Sequence, residues 1–330
     1  FLKFIHSLVL NPDQIGRDDP DRDHDPEYLG HYLIVANDNC LPYAVPFIEW
    51  RRKSGWKVDI ISLSNDDQAD NTNLIKGRIQ DLYDSYLDDG IDPFDQILLI
   101  GDLSSYVNLQ PAANWVLASS GHHYDWFYAL LEGDDNDADV GISRWCAGSR
   151  PMVELFTLRT LAYEAEPYMD NPGWLTRAAV YAQYWGRNWH VSLATNVRWG
   201  TQVLKSIGFD DVRSYENITQ WDGGGQQVGP FIRTQYNDGV SVMIGRAENY
   251  FFRGQLPGVN DNVVFPIDMY LGGHQEYSVW TLLRTGTPDH PKGPVAVTCG
   301  WGNPNTFSMS NIWLEQVNGF LQHDLTFGWA

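Results

Sequence analysis

Two short apolar runs in the second half of the chain mark where chemistry could take place. Val240–Ile244 and Val263–Ile267 are rich in branched side chains, and each is soon followed by small or polar residues. Runs of this length and composition predict buried parallel strands. In open α/β sheets, ligands and reacting groups lie just past the carboxyl ends of the strands. We therefore expect a functional site where these two runs end.

Charged side chains follow both runs. They are Arg246 and Glu248 after the first run, and Asp268 and His274 after the second. One interpretation is a charged ligand-binding pocket, to which Glu248, Asp268 and the later Trp301 would contribute. The other is an Arg–carboxylate pair that fills a cleft without a function of its own.

Cys299 is the candidate nucleophile that these residues offer. It follows the predicted strand Val295–Thr298, so it could lie at the same edge of the sheet. A cysteine nucleophile needs a neighbouring base, and His274 or His290 could serve. The alternative interpretation is that a lone cysteine at the end of a strand is a small packed residue.

An acidic loop is the candidate metal site. Its carboxylates are Asp134, Asp135, Asp137 and Asp139. Hard oxygen ligands at close spacing suit Ca²⁺, although the loop lacks the glutamate that completes an EF-hand. The sequence thus allows a calcium site, and the alternative is a solvated turn capped by Asp139.

The composition excludes several classes of function. The 330 residues carry a formal net charge of −20, and 43% of them are hydrophobic. Nucleic acids and anionic membranes need Lys and Arg to neutralise phosphate, so the acidic balance argues against both. No apolar run approaches the roughly 20 residues of a membrane-spanning helix. The charge is compatible with cation binding and with a secreted protein.

The cysteines do not form a metal-binding pattern. Cys40, Cys146 and Cys299 lie far apart in the sequence. An odd number allows at most one internal disulfide bond. We expect buried free thiols, with one disulfide as the alternative.

The first half of the chain alternates predicted strands and helices. Strands His31–Ala36, Lys57–Leu63 and Gln96–Ile100 are separated by helices Leu41–Gly55 and Asn71–Asp89. A β-α-β-α-β order predicts parallel strands joined by crossover helices. The fold class is therefore α/β.

A predicted helix at Pro151–Tyr168 leads into a second alternation of the same kind. Its further predicted elements are strands Ala178–Ala182 and Val212–Tyr215, helices Ser192–Ile207, Gln226–Tyr236, Glu276–Gly286 and Met309–Leu321, and the three strands introduced above. We predict an N-terminal connector at residues 1–29, a first α/β subdomain at 30–150 and a second at 151–330.

Several landmarks give the chain a family resemblance. The two apolar runs lead into Gly245-Arg246-Ala247 and Met269-Tyr270-Leu271-Gly272. Earlier in the chain come a strand, a helix with the sequence PFIEWRRKSGW and a strand that ends in Gly101-Asp102. In this order the chain resembles the gingipain-type cysteine peptidases, which have a caspase-like fold. The resemblance covers residues 30–330 and implies two side-by-side three-layer α/β subdomains with mainly parallel sheets.

The resemblance also implies which residues stand at the reacting positions. In the family, one strand ends in Gly-His-Gly with the catalytic His, and the next ends in a Cys followed three residues later by Gly. Arg246 then takes the His position and Met269 the Cys position. Arginine keeps its proton, and a thioether cannot become a thiolate. The family's counterpart of the Cys299 strand lines the specificity pocket, and its domain continues beyond Ala330, so we expect a truncated C-terminal end.

Two hypotheses of function follow. The first is a catalytically inactive, calcium-stabilised gingipain-like domain that serves as a structural or interaction module of an extracellular or cell-surface protein. Its partners would be another protein or neighbouring domains of the same polypeptide. The alternative is an active cysteine endopeptidase whose dyad is displaced to Cys299 and a nearby histidine such as His274.

Overall fold

The computed structural model describes residues 29–64, 72–101, 125–135, 137–183, 190–217, 228–246, 262–271 and 282–300. The chain divides between Leu158 and Arg159 into two compact units, which we call the first and second unit. This division lies within a helix, a little beyond the boundary predicted at residue 150. No helix among the described residues is long and apolar enough to span a membrane.

The first unit is built on a parallel sheet of four strands in the order β2-β1-β3-β4. Its strands are β1 (Gly30–Asn37), β2 (Trp56–Leu63), β3 (Gln96–Ile100) and β4 (Gly141–Trp145), and its helices are α1 (Leu41–Lys53) and α2 (Thr72–Asp88), with a 3-10 helix at Trp126–Ala129. Strand β3 is central and all of its residues are buried. The predicted β-α-β-α-β order is confirmed.

The second unit is built on a parallel sheet of five strands in the order β11-β8-β7-β5-β6. Its elements are β5 (Arg177–Gln183), α4 (His190–Ser206), β6 (Asp211–Asn217), α5 (Val228–Asp238), β7 (Val242–Arg246), β8 (Ile267–Leu271), β9 (Gly286–Thr287), β10 (His290–Pro291) and β11 (Ala296–Gly300). Helix α3 (Arg150–Glu164) spans the division between the units, and β9 and β10 form a short antiparallel hairpin.

Two prolines move element boundaries away from the predicted ones. Helix α3 ends at Glu164 and not at Tyr168, because Pro167 cannot continue the helical hydrogen-bond ladder. Strand β8 is Ile267–Leu271 and not Val263–Ile267, because Pro266 has no N–H for the sheet and the residues before it form a loop. Asp268 therefore lies inside the strand and not after its end.

Two glycines that were predicted to end an element do not end one. Strand β7 runs two residues further than predicted, through Gly245 to Arg246. A side chain at Gly245 would overlap the ring of Tyr181, so the glycine permits close packing and does not end the strand. Gly286 was predicted to end a helix, but it begins hairpin strand β9 with φ of +95°.

Several predicted segments lie outside the described residues. These are the N-terminal connector apart from Leu29, the helix at Met309–Leu321 and most of the helix at Glu276–Gly286.

A partly buried ion pair lies at the carboxyl edge of the first sheet. Arg144, near the end of β4, donates from Nε and Nη2 to the two carboxylate oxygens of Asp125, each at 2.7 Å. Its Nη1 donates to the carbonyl of Gly101 at 3.0 Å. The guanidinium thereby ties the start of the 3-10 helix to the ends of β3 and β4.

We predict that Asp125→Asn lowers the free energy of unfolding of the first unit by about 2 kcal/mol, because Arg144 loses the charge of this carboxylate and two charge-assisted hydrogen bonds weaken. Urea denaturation measures the change. The control is Asp84→Asn at an exposed carboxylate that accepts a hydrogen bond from Gln80. It should change stability by less than about 0.5 kcal/mol. Equal effects of the two substitutions would contradict the assignment.

Candidate functional site

The carboxyl ends of β7 and β8 form the edge at which the sequence predicts a site. The register of the two parallel strands pairs Arg246 with Leu271 and Ile244 with Met269. Arg246 and Leu271 are thus level with each other at the strand ends. Met269 lies two positions earlier in β8, where only 2% of its surface is exposed. Residues paired across the ladder share a face, and Ile244 and Arg246 share one along β7, so Arg246 and Met269 belong to the same face of the sheet.

Arg246 is a buried cation, with 5% of its surface exposed. A charge in this position is stable only if polar groups surround it, because desolvation is costly. Arg246 has neither the ring nitrogen of a histidine nor a carboxylate, and its guanidinium has no lone pair with which to accept a proton. This strand end therefore holds a proton donor that cannot act as a base.

Asp268 does not pair with Arg246. It is level with Met243, and neighbouring residues along a strand alternate between faces, so Asp268 and Arg246 lie on opposite faces. The Asp268 carboxylate oxygen Oδ2 accepts a hydrogen bond of 2.6 Å from the Tyr236 hydroxyl on α5. The interpretation of an Arg–carboxylate pair thus does not apply to these two residues.

Asp268 is one of the most deeply buried acids among the described residues, with 1% of its surface exposed. Burial raises the pKa of Asp268 to about 7, and the hydrogen bond from Tyr236 partly offsets this rise. Burial and the neighbouring carboxyl also hold the pKa of Tyr236 well above its usual value. The pair is therefore a neutral acid beside a neutral phenol over much of the acidic range.

Sequence reasoning missed two polar residues on the side of the sheet that Asp268 faces, Arg159 and Tyr236. Arg159 is fully buried on α3 and donates from Nη1 to the carbonyl of Lys292 at 2.7 Å. Burial lowers the pKa of Arg159 to about 9. The signal was in the spacing, because Arg159 follows Leu155 by four residues and Tyr236 follows Ile232 by four. Both therefore lie on apolar helical faces.

Cys299 lies in β11, where its backbone position pairs with Tyr270 of β8. His290 is in the hairpin before the amino end of β11, whereas Cys299 is close to the carboxyl end of that strand. The structure thus does not bring this histidine to the carboxyl edge with the cysteine. The other predicted site residues here, Glu248, His274 and Trp301, lie outside the described residues.

The acidic loop uses its carboxylates for its own turn. Asp139 Oδ2 accepts hydrogen bonds from the amides of Leu131 at 2.6 Å and Glu132 at 2.8 Å. Asp135 Oδ1 accepts from the amide of Asp137 at 2.9 Å. Over the part of the chain that the structure describes, no three His, Cys, Asp or Glu side chains gather as a metal site. These contacts favour the alternative of an Asp139-capped turn, and calcium binding stays a prediction.

Cys40 and Cys146 are both free thiols. Burial, with the charge of Asp38, raises the pKa of Cys40 to about 12. The thiolate is the reactive form of cysteine, so this side chain is unreactive at neutral pH.

The comparisons with known proteins decide the family. The model of Peptidase family C25 matches residues 25–318. The chain belongs to this family. Its gingipain-like α/β fold is confirmed, as is the resemblance on which the fold prediction rested. No curated protein sequence matches the chain significantly.

Two solved structures of gingipains share the fold. The complex of Porphyromonas gingivalis RgpB pro- and mature domains aligns with a TM-score of 0.72 and 17% identity, over 91% of this chain and 71% of that one. The Arg-specific cysteine proteinase gingipain R aligns with a TM-score of 0.69 and 17% identity, over 91% and 70% of the two chains. At this level of identity the likeness extends to the fold.

Proposed function

We propose that this C25 domain is catalytically inactive and serves as a structural or interaction module. One observation carries the proposal. The level at which β7 and β8 end side by side holds Arg246 and Leu271. Cysteine peptidases need a thiol and a base at such a level, and neither residue type can supply one.

The register also offers a second candidate for the nucleophile position. The spacing to Gly272 assigns that position to Met269, whereas the strand pairing puts Leu271 level with Arg246. Met269 is buried two positions inside the sheet, where a substrate could not reach it. We therefore propose Leu271, in place of Met269, for the nucleophile position. The inactive reading is unchanged, because neither a thioether nor an alkyl side chain forms a nucleophile.

Placing a cysteine at each position tests this assignment. On an Arg246→His background, Met269→Cys should react with iodoacetamide at least about tenfold more slowly than Leu271→Cys, because residue 269 is buried and thiol reactivity requires access to solvent. Mass spectrometry of the labelled peptide gives the two rates. Faster labelling at position 269 would return the nucleophile position to Met269.

The rival function is a cysteine endopeptidase with a displaced dyad that uses Cys299. Incubation of the unaltered protein with iodoacetamide and with a broad peptide library separates the two proposals. We expect neither rapid, site-selective labelling nor cleavage. Selective labelling of Cys299 together with loss of a measurable peptidase activity would establish the rival, and Cys299→Ser is the control for that result.

We further propose an extracellular or cell-surface location and partners among neighbouring domains of the same polypeptide. The first proposal is supported by membership of the gingipain family and by the acidic composition. The second is supported by the RgpB structure, which is a complex of pro- and mature domains.

We also propose that the acidic loop binds calcium. Stabilisation by a bound cation can be distinguished from stabilisation by the hydrogen bonds within the turn. A cation held only by the folded state raises the melting temperature. Chelation with EDTA should lower that temperature, and Asp135→Asn should abolish the effect of EDTA. Asp139→Asn should destabilise the protein with or without calcium, because Asp139 holds two amides. An unchanged melting temperature on chelation would remove the proposal.

A further inference from the structure

The carboxyl of Asp268 is poorly compensated for a group in the interior of a sheet. It lies in β8, between β7 and β11, with 1% of its surface exposed. Its Oδ2 accepts the hydrogen bond from Tyr236, and its Oδ1 has no hydrogen-bond partner among the described residues. A buried carboxylate normally accepts two or more hydrogen bonds or faces a cation. One donor for two oxygens suits a neutral acid better than an anion.

In the part of the chain that the structure describes, the groups that face Asp268 add no stabilising charge of their own. Its ladder neighbours are Met243 on β7 and Val297 on β11, and neither can ionise. Tyr236 comes from α5, and its hydroxyl is in turn influenced by Tyr181 of β5 and Arg159 of α3. Arg159 directs Nη1 to the Lys292 carbonyl. The cation on β7, Arg246, lies on the other face of the sheet.

We propose that Asp268 is a proton-linked switch, which keeps β8 seated while the carboxyl is protonated and loosens the β7-β8-β11 part of the sheet when it ionises. Asp268 would thus regulate how firmly β8 is held in the sheet, whether or not the domain is catalytic. The strand that it controls carries both Met269 and Leu271.

The direction of the pH dependence follows from the burial. In the unfolded chain the carboxyl titrates near its ordinary value of 3.8, whereas in the folded protein burial raises the pKa of Asp268 to about 7. The folded state therefore retains a proton that the unfolded state has released. The stabilisation is fully present below pH 3.8 and is lost as the pH rises through about 7.

Hydrogen exchange of the β8 amides, followed by mass spectrometry, tests the proposal on the whole chain. After correction for intrinsic rates, exchange of residues 267–271 should accelerate with pH between about 4 and 7, by up to about tenfold per pH unit. Asp268→Asn keeps the shape of the side chain but cannot ionise, so its profile should lack this acceleration. Asp59→Asn, at a carboxylate of the first unit, is the matched control and should keep it. Parallel profiles for the unaltered protein and Asp268→Asn would overturn the proposal.

A second measurement holds even if Asp268→Asn fails to fold. The hydrogen bond from Tyr236 lowers the Asp268 pKa in the folded protein, so Tyr236→Phe should extend the accelerating part of the profile to higher pH and leave its lower limit near pH 4. Infrared spectra of the folded protein should show a protonated carboxyl band at pH 6, where exposed carboxyls with pKa near 4 are ionised. This band should disappear by pH 9 and persist to higher pH in Tyr236→Phe. Its absence at pH 6, or a position unaffected by Tyr236→Phe, would show that Asp268 is not the group.

Discussion

The hydrogen-bonded ladder between β7 and β8 determines what the carboxyl edge of the second sheet can contain. Its register places Arg246 beside Leu271 and Ile244 beside Met269. A slip of one residue would turn every side chain of a strand to the other face. Because β7 is buried along its whole length, such a slip would put the buried side chains of both faces out of place. The chemistry available at the edge is therefore set by packing throughout the sheet.

The same packing explains part of a motif that a reader would otherwise attribute to catalysis. Gly245 precedes Arg246 as a glycine precedes the catalytic histidine in gingipains. Here the ring of Tyr181, from the neighbouring strand, occupies the space where a side chain of residue 245 would lie. The tyrosine belongs to a buried cluster that includes Tyr236 and Met243. Retention of this glycine therefore follows from the fold and is no sign of activity.

The sequence predicted the fold better than the site, for physical reasons that particular residues show. The spacing of apolar residues distinguishes strands from helices, and this signal is robust because many residues together form each buried face. Boundaries depend on single residues, and Pro266 makes the residues before it a loop although their composition is that of a strand. Arg159 and Tyr236 were missed because each occupies an apolar face, where only the structure shows which groups meet them.

Arg246 and Asp268 lie on opposite faces of the second sheet, and this separation determines the pKa of Asp268. If Arg246 and Asp268 shared a face, the cation would favour the carboxylate and lower the pKa of Asp268. Strand alternation keeps them apart, since Asp268 is level with Met243 and not with Ile244 or Arg246. The acid is left with a single phenol, so burial controls its titration. Arg246 and Asp268 are three register positions apart in paired strands, so their side chains face opposite sides of the sheet. This separation keeps the guanidinium from the carboxyl and leaves Asp268 with a pKa of about 7.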